Sequence, residues 1–170
     1  MKLTRRIGIT ILIGLILSSC RATLEENIAT AEEEVSKVFE AKKEKSNKEG
    51  ENFNFYTPFG MKVVEESKNN IILEKGSDTF ILFYNPNEDK ASKVVYEQTK
   101  ETQSDLIVDD IYQKKGKFGY LMGSNVDEDH VQIIVGVGGA KMTILTSESK
   151  MASKSKLMMK IVSSIEYKDE

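Results

Sequence analysis

The chain has 170 residues, 39% hydrophobic and 30% charged, with two prolines, one cysteine and no tryptophan. That size holds one ordinary domain with a modest extension, and it excludes a multi-domain enzyme, a polytopic membrane protein and a disulfide-stapled miniprotein. A mildly acidic balance, 24 basic against 27 acidic residues, argues against nucleic acid as a partner.

The first twenty residues divide into three parts. Lys2, Arg5 and Arg6 make a basic start, and Ile7 to Leu17 is an 11-residue run of apolar residues and glycine with one threonine. A bilayer-spanning helix needs roughly 20 apolar residues. This run instead fits the apolar segment of an export signal, with its positive end held on the cytoplasmic side. The only cysteine follows at once, in Leu17-Ser18-Ser19-Cys20.

Those four residues resemble the bacterial lipobox, leucine–small–small–cysteine. The resemblance implies a signal peptide over residues 1–19, cleavage between Ser19 and Cys20, and a diacylglyceryl group on the Cys20 sulfur. Whether the freed amino group of Cys20 is also acylated stays open. An ordinary signal peptide with an incidental cysteine and an uncleaved anchor are the alternatives. The expected place is the extracytoplasmic face of a bacterial cell membrane, of Gram-positive type from the Lys/Glu/Ile-rich composition, with the lipid on Cys20 as the membrane contact. Two or more acyl chains hold a protein stably where one does not. No exposed thiol then remains for redox or metal chemistry. Losing Lys2, Arg5 and Arg6 leaves 21 basic residues against 27 acidic ones.

Residues 20–51 read as a lipidated helical stalk or linker. Leu24, Ile28, Ala31, Val35 and Val38 recur at spacings of 4, 3, 4 and 3, a helical stripe of heptad type. Thr23 and Glu26 fit a capping box. Glutamates crowd the first half and lysines the second, which suits the helix dipole. A helix over residues 22–45 would be about 36 Å long. It either spaces the domain from the membrane or packs on that domain through the stripe. Barely two heptads make an isolated coiled coil the weaker reading.

Residues 52–170 read as a single α+β domain. Short strands are expected at Phe53–Tyr56, Met61–Glu65, Asn70–Glu74 and Thr79–Tyr84. The run Phe80-Ile81-Leu82-Phe83-Tyr84 reads as a central strand covered on both faces. Residues 90–103 lean to a short helix. Leu106–Tyr112 and Phe118–Met122 flank Lys115-Gly116 as a hairpin. Alternation through Val131, Ile133, Val135 and Val137 and again through Met142, Ile144 and Thr146, joined by Gly138-Gly139, makes a second hairpin. A helix closes the chain near residues 152–165, with Leu157, Met158, Ile161, Val162 and Ile165 on one face and Lys154 toward that side. The expected fold is α+β: a mostly antiparallel sheet of hairpins with a C-terminal amphipathic helix on it, preceded by the N-terminal helix.

Phe55-Tyr56-Thr57-Pro58-Phe59-Gly60-Met61, the apolar strand ending at Asn85-Pro86, and the close Ile161-Val162-Ser163-Ser164-Ile165 resemble the small α+β domains of the PsbP, Mog1 and DcrB group over residues 53–167. Met61 stands where that group commonly has tryptophan. The resemblance implies accessory, partner-binding proteins without enzyme chemistry.

Motifs for chemistry are sparse. His130, the only histidine, follows Asp127-Glu128-Asp129. Counted from Asn125, the positions that an EF-hand reserves for glycine and glutamate hold His130 and Gly136, so a solvated acidic turn is expected. One histidine and one cysteine make no zinc site. Gly136-Val137-Gly138-Gly139-Ala140-Lys141 lacks the spacing of a phosphate loop and reads as a turn. Asp109 and Asp110, adjacent in a strand, point to opposite faces. Lys150, Lys154, Lys156 and Lys160 form a basic group near the last helix, either a surface for teichoic acid or lipid phosphate or a solvated face. Met122, Met142, Met151, Met158 and Met159 are either core fillers or an adaptable binding surface. No catalytic, metal or cofactor residues are expected. The leading expectation is a non-catalytic module that binds an envelope protein or ligand through its sheet or its Met-bearing helix. The alternatives are an envelope hydrolase using two carboxylates roughly 5–10 Å apart, and a structural lipoprotein oligomerised by its stalk.

Overall fold

A computed structural model describes residues 22–168. The leader, Ser19 and Cys20 lie outside the described residues. The first helix, α1, runs Leu24–Glu40. Thr23 caps it as its sequence suggests: the Thr23 hydroxyl accepts from the Glu26 amide at 3.2 Å, and the Thr23 amide donates to the Glu26 carboxylate at 2.9 Å. The helix stops five residues short of the expected end. Its stripe faces inward, with Ala31, Val35 and Phe39 fully buried and Ile28 and Val38 packed against the same core. Of the two readings open for this helix, packing on its own domain is the one observed. The stripe is therefore not free to zip with a second copy.

The remaining elements follow in order as β1 (Lys48–Glu49), β2 (Phe53–Phe55), β3 (Met61–Ser67), β4 (Asn70–Lys75), β5 (Asp78–Tyr84), α2 (Val94–Glu101), β6 (Leu106–Lys114), β7 (Lys117–Asn125), β8 (His130–Val137), β9 (Ala140–Ser147), α3 (Met151–Ser164) and β10 (Glu166–Tyr167). Seven strands make one antiparallel sheet in the order β3-β4-β5-β9-β8-β7-β6. A small sheet, β1-β2-β10, joins the segment after α1 to the end of the chain. The fold is α+β, with antiparallel sheets, a C-terminal helix and an N-terminal helix.

Alternation sends Phe80, Leu82, Val131, Ile133, Val135, Met142 and Ile144 to one face, where they share one core with α1 and α3; α3 lies over β8 and β9, and α1 lies over β6 and β7. The five methionines of interest are fully buried. They are core fillers, so the Met-bearing helix does not offer an adaptable surface. At the β8–β9 turn Gly138 has φ +55, and a Cβ there would sit 2.1 Å from the Asp89 carbonyl oxygen. The Gly-Gly pair thus serves a hairpin and a close backbone approach together.

Opposite that core, α2 lays Tyr96 on Phe118, Tyr120, Met122 and Ile134, with Leu106 at the rim. With only eight residues, α2 covers the β6–β8 side alone. The structure here corrects one expectation. Strand β5 is hydrogen-bonded on both sides, to β4 and β9, yet its outer face is not covered, and Ile81 remains 46% exposed. A continuous apolar run signals a central strand without saying what lies over each face.

Candidate functional site

The outer face of the sheet beside α2 is the candidate site. Register places Ile72 beside Ile81, Ile81 beside Thr143, and Thr143 beside Ile134 under α2. Leu145, two residues along β9 from Thr143, is 57% exposed, and Ile72 and Phe83 are half-buried. Ile72, Ile81 and Phe83 group into an apolar patch beyond the end of α2, with Leu145 set diagonally from Ile81 across Thr143. Singly exposed apolar residues are ordinary, but a contiguous patch on a flat face marks a contact surface.

Lys141 sits at the boundary of this patch. Its ammonium donates to the Thr99 hydroxyl of α2 at 2.8 Å and lies 5.6 Å from the centre of the Phe83 ring. It has no carboxylate partner among the described residues. Burial pushes its pKa down from the usual lysine value. In the adjoining core the Tyr120 hydroxyl is fully buried without a hydrogen-bond partner among the described residues, and burial pushes it up.

Docking by strand addition is disfavoured at both sheet edges. Strand β3 carries a bulge between Val63 and Glu65 and exposed Lys62, Glu65 and Glu66. Strand β6 carries a bulge between Leu106 and Val108. Bulges and charges are how an edge refuses a new strand.

The residues singled out from the sequence take these places. His130 closes the acidic turn between β7 and β8: its Nδ1 is 2.8 Å from the Asp127 carboxylate, which also accepts from the amides of Asp129 and His130 at 2.9 Å. The Asp129 amide, then the His130 ring, hold the Asp127 carboxyl below its usual range. Among the described residues no group of three His, Cys, Asp or Glu side chains is placed to hold a metal ion. Nor is any helix among them long and apolar enough to cross a membrane.

The basic group of α3 is largely neutralised. Lys154 pairs with Asp78, Lys156 with Glu34, and Lys160 with Glu44 at 2.8 Å. The polyanion reading of that helix is therefore not supported. Lys154 does point to the apolar side, and Asp78 meets it there. Asp109 and Asp110 diverge as expected: Asp109 pairs with Lys100 at 2.6 Å and accepts from the Tyr96 hydroxyl, while Asp110 accepts from the Ile111 amide.

One association was not visible in the sequence. Glu32 of α1 comes beside Asp110 of β6. Partial burial, and then the Asp110 charge, raise the Glu32 carboxyl above its usual value. Burial and Asp110 also raise Tyr112. Nothing in the spacing of residues 32 and 110 announces this.

No family model matches the chain, and no curated protein matches it. Among solved structures it is similar to the cyanobacterial PsbP, CyanoP, of Synechocystis sp. PCC 6803, at TM-score 0.40 and 14% identity over 69% of this chain and 87% of that one. It is also similar to a protein of Bacteroides thetaiotaomicron at TM-score 0.38 and 13% identity, over 69% of this chain and 46% of that one. The chain thus spans less than half the length of the Bacteroides protein. These are weak likenesses of fold.

Proposed function

We propose that the chain is a bacterial surface lipoprotein, moored to the extracytoplasmic face of the cell membrane by a diacylglyceryl group on Cys20, that acts by binding an envelope protein. The patch of Ile72, Ile81 and Phe83, with Leu145 diagonal to it, carries this reading. The occupant is a protein that covers the patch with apolar side chains and brings a carboxylate to the unpaired Lys141. A carboxylate meeting a half-buried ammonium gains more than one meeting a solvated lysine. The leader and Leu17-Ser18-Ser19-Cys20 support the mooring.

Photo-cross-linking on intact cells tests the docking. A photoreactive residue at position 145 is expected to trap one protein of defined mass, and Ile81→Asp is expected to abolish the adduct. The same reagent at exposed Lys62, on the sheet edge, should trap nothing of that mass. Equal adducts from both positions, or none from position 145, would overturn the reading.

A further inference from the structure

A second surface lies at the far end of the molecule from the start of α1. Between the β6–β7 turn and the loop before α2 is an open hollow of about 420 Å³, lined by Lys93, Lys114, Lys115 and Lys117 together with Ala91, Gln113, Gly116 and Phe118. Among the described residues no carboxylate lines it. Lys90 lies alongside. Its backbone carbonyl accepts from the Phe118 amide at 2.8 Å.

These lysines are short of counter-charge. Only Lys114 makes an ion pair among the described residues, with Glu40 at 3.0 Å. The nearby acids are otherwise engaged: Asp89 accepts from the Ala91 amide at 2.8 Å, Glu88 takes the Ser92 hydroxyl, and Glu166 pairs with Lys43. Aromatic faces hold two of the cations in place. Lys93 sits 5.3 Å from the centre of Phe118, and Lys117 sits 4.9 Å from that of Phe39 while donating to the Phe39 carbonyl. Burial first, and then Lys43 and Lys117, push Lys90 down. Lys117 is pushed down by burial and then by Lys114. Gathering five cations on a net-acidic protein costs energy through mutual repulsion, and an anion seated among them relieves it.

We propose that this hollow binds an anionic polymer of phosphodiester groups. Each such group offers two oxygens that share one charge, so neighbouring ammonium groups can bridge it. Lysine stems and one aromatic face make walls that suit a flexible, charge-dense chain more than a shaped small molecule. The geometry also sets the source. Helix α1 runs about 25 Å at 1.5 Å per residue, from Leu24, two residues after Ala22, which lies beside Glu128, Asp129 and His130, to Glu40 beside Lys114. With Cys20 moored, a premise taken from the proposed function, the hollow faces away from the bilayer. A polymer reaching through the envelope meets it, and lipid headgroups do not.

The test is titration of sodium polyphosphate into the full chain in detergent micelles at several salt concentrations. Lys93→Gln with Lys115→Gln, both at exposed positions, is expected to weaken binding at least about tenfold and to flatten the salt dependence by about one unit of slope per lysine lost. Lys62→Gln with Lys68→Gln, on the opposite sheet edge, should leave binding unchanged. Equal losses in both pairs, no binding by the parent chain, or tighter binding of poly-glutamate would overturn the proposal. Binding to phosphatidylglycerol vesicles that is lost in the first pair would overturn the assigned source. The titration needs neither the lipid nor the docking partner, so its failure is distinct from theirs. A bare Cys20 in cells would remove the orientation and leave the titration standing.

Discussion

Phe39 offers a decisive perturbation, because the packing of α1 on its own domain rests on it. Its ring is fully buried, lies 5.8 Å from Tyr112 centre to centre, and meets the Lys117 ammonium. It also occupies the space over Gly119, where an added Cβ would fall 2.6 Å from the ring. Phe39→Ala should cost about 3–5 kcal/mol, and with about 2–4 °C per kcal/mol in a domain of this size the midpoint should fall by about 6–20 °C. Gly119→Ala alone overpacks the same space and should cost about 1–3 kcal/mol. In the Phe39→Ala background the new methyl enters the vacated volume, so the double variant should be more stable than the sum by at least about 1 kcal/mol. Thermal and urea unfolding of the chain from residue 20, followed by far-ultraviolet circular dichroism, read the midpoint and the free energy of all three variants. A solvated stalk would lose no more than about 0.5 kcal/mol on Phe39→Ala. That result, with additive costs in the double variant, would refute the packing.

Lys141 makes stability depend on pH in a defined direction. Its folded-state pKa lies below the ordinary 10.5, so the unfolded chain binds more protons and stability from this group rises with pH between the lowered value and 10.5. Lys141→Met should remove that rise, and the difference between the two chains' urea midpoints across alkaline pH measures it; a constant difference would contradict the burial. Gly138→Ala forces a side chain into positive φ and against the Asp89 carbonyl, and should cost about 2–5 kcal/mol. A variant as stable as the parent in the same unfolding experiment would show that the turn is misread.

Much of the fold was legible because its signals are local. The β8–β9 hairpin announces itself by alternation and Gly138-Gly139, and α3 by its apolar stripe. What local pattern cannot name is the neighbour. The stripe of Ile28, Ala31 and Val35 is periodic whether it packs on its own domain or on a second helix. The α3 lysines read as a basic face because Glu34, Glu44 and Asp78, which pair with three of them, are remote in sequence. The apolar run of β5 gave no hint that α2 would end before reaching Ile81. The basic hollow did leave a trace: Lys114-Lys115-Gly116-Lys117 puts three lysines on one hairpin turn. Topology alone adds Lys90 and Lys93 to them.

The proposed mooring at Cys20 is what orients the hollow, and mass spectrometry of the chain isolated from cells reads it directly. The expected N-terminal peptide begins at Cys20 and carries the mass of a diacylglyceryl group on sulfur, with or without a further acyl group on the amine. A peptide beginning elsewhere, or beginning at Cys20 with an unmodified thiol, would contradict it.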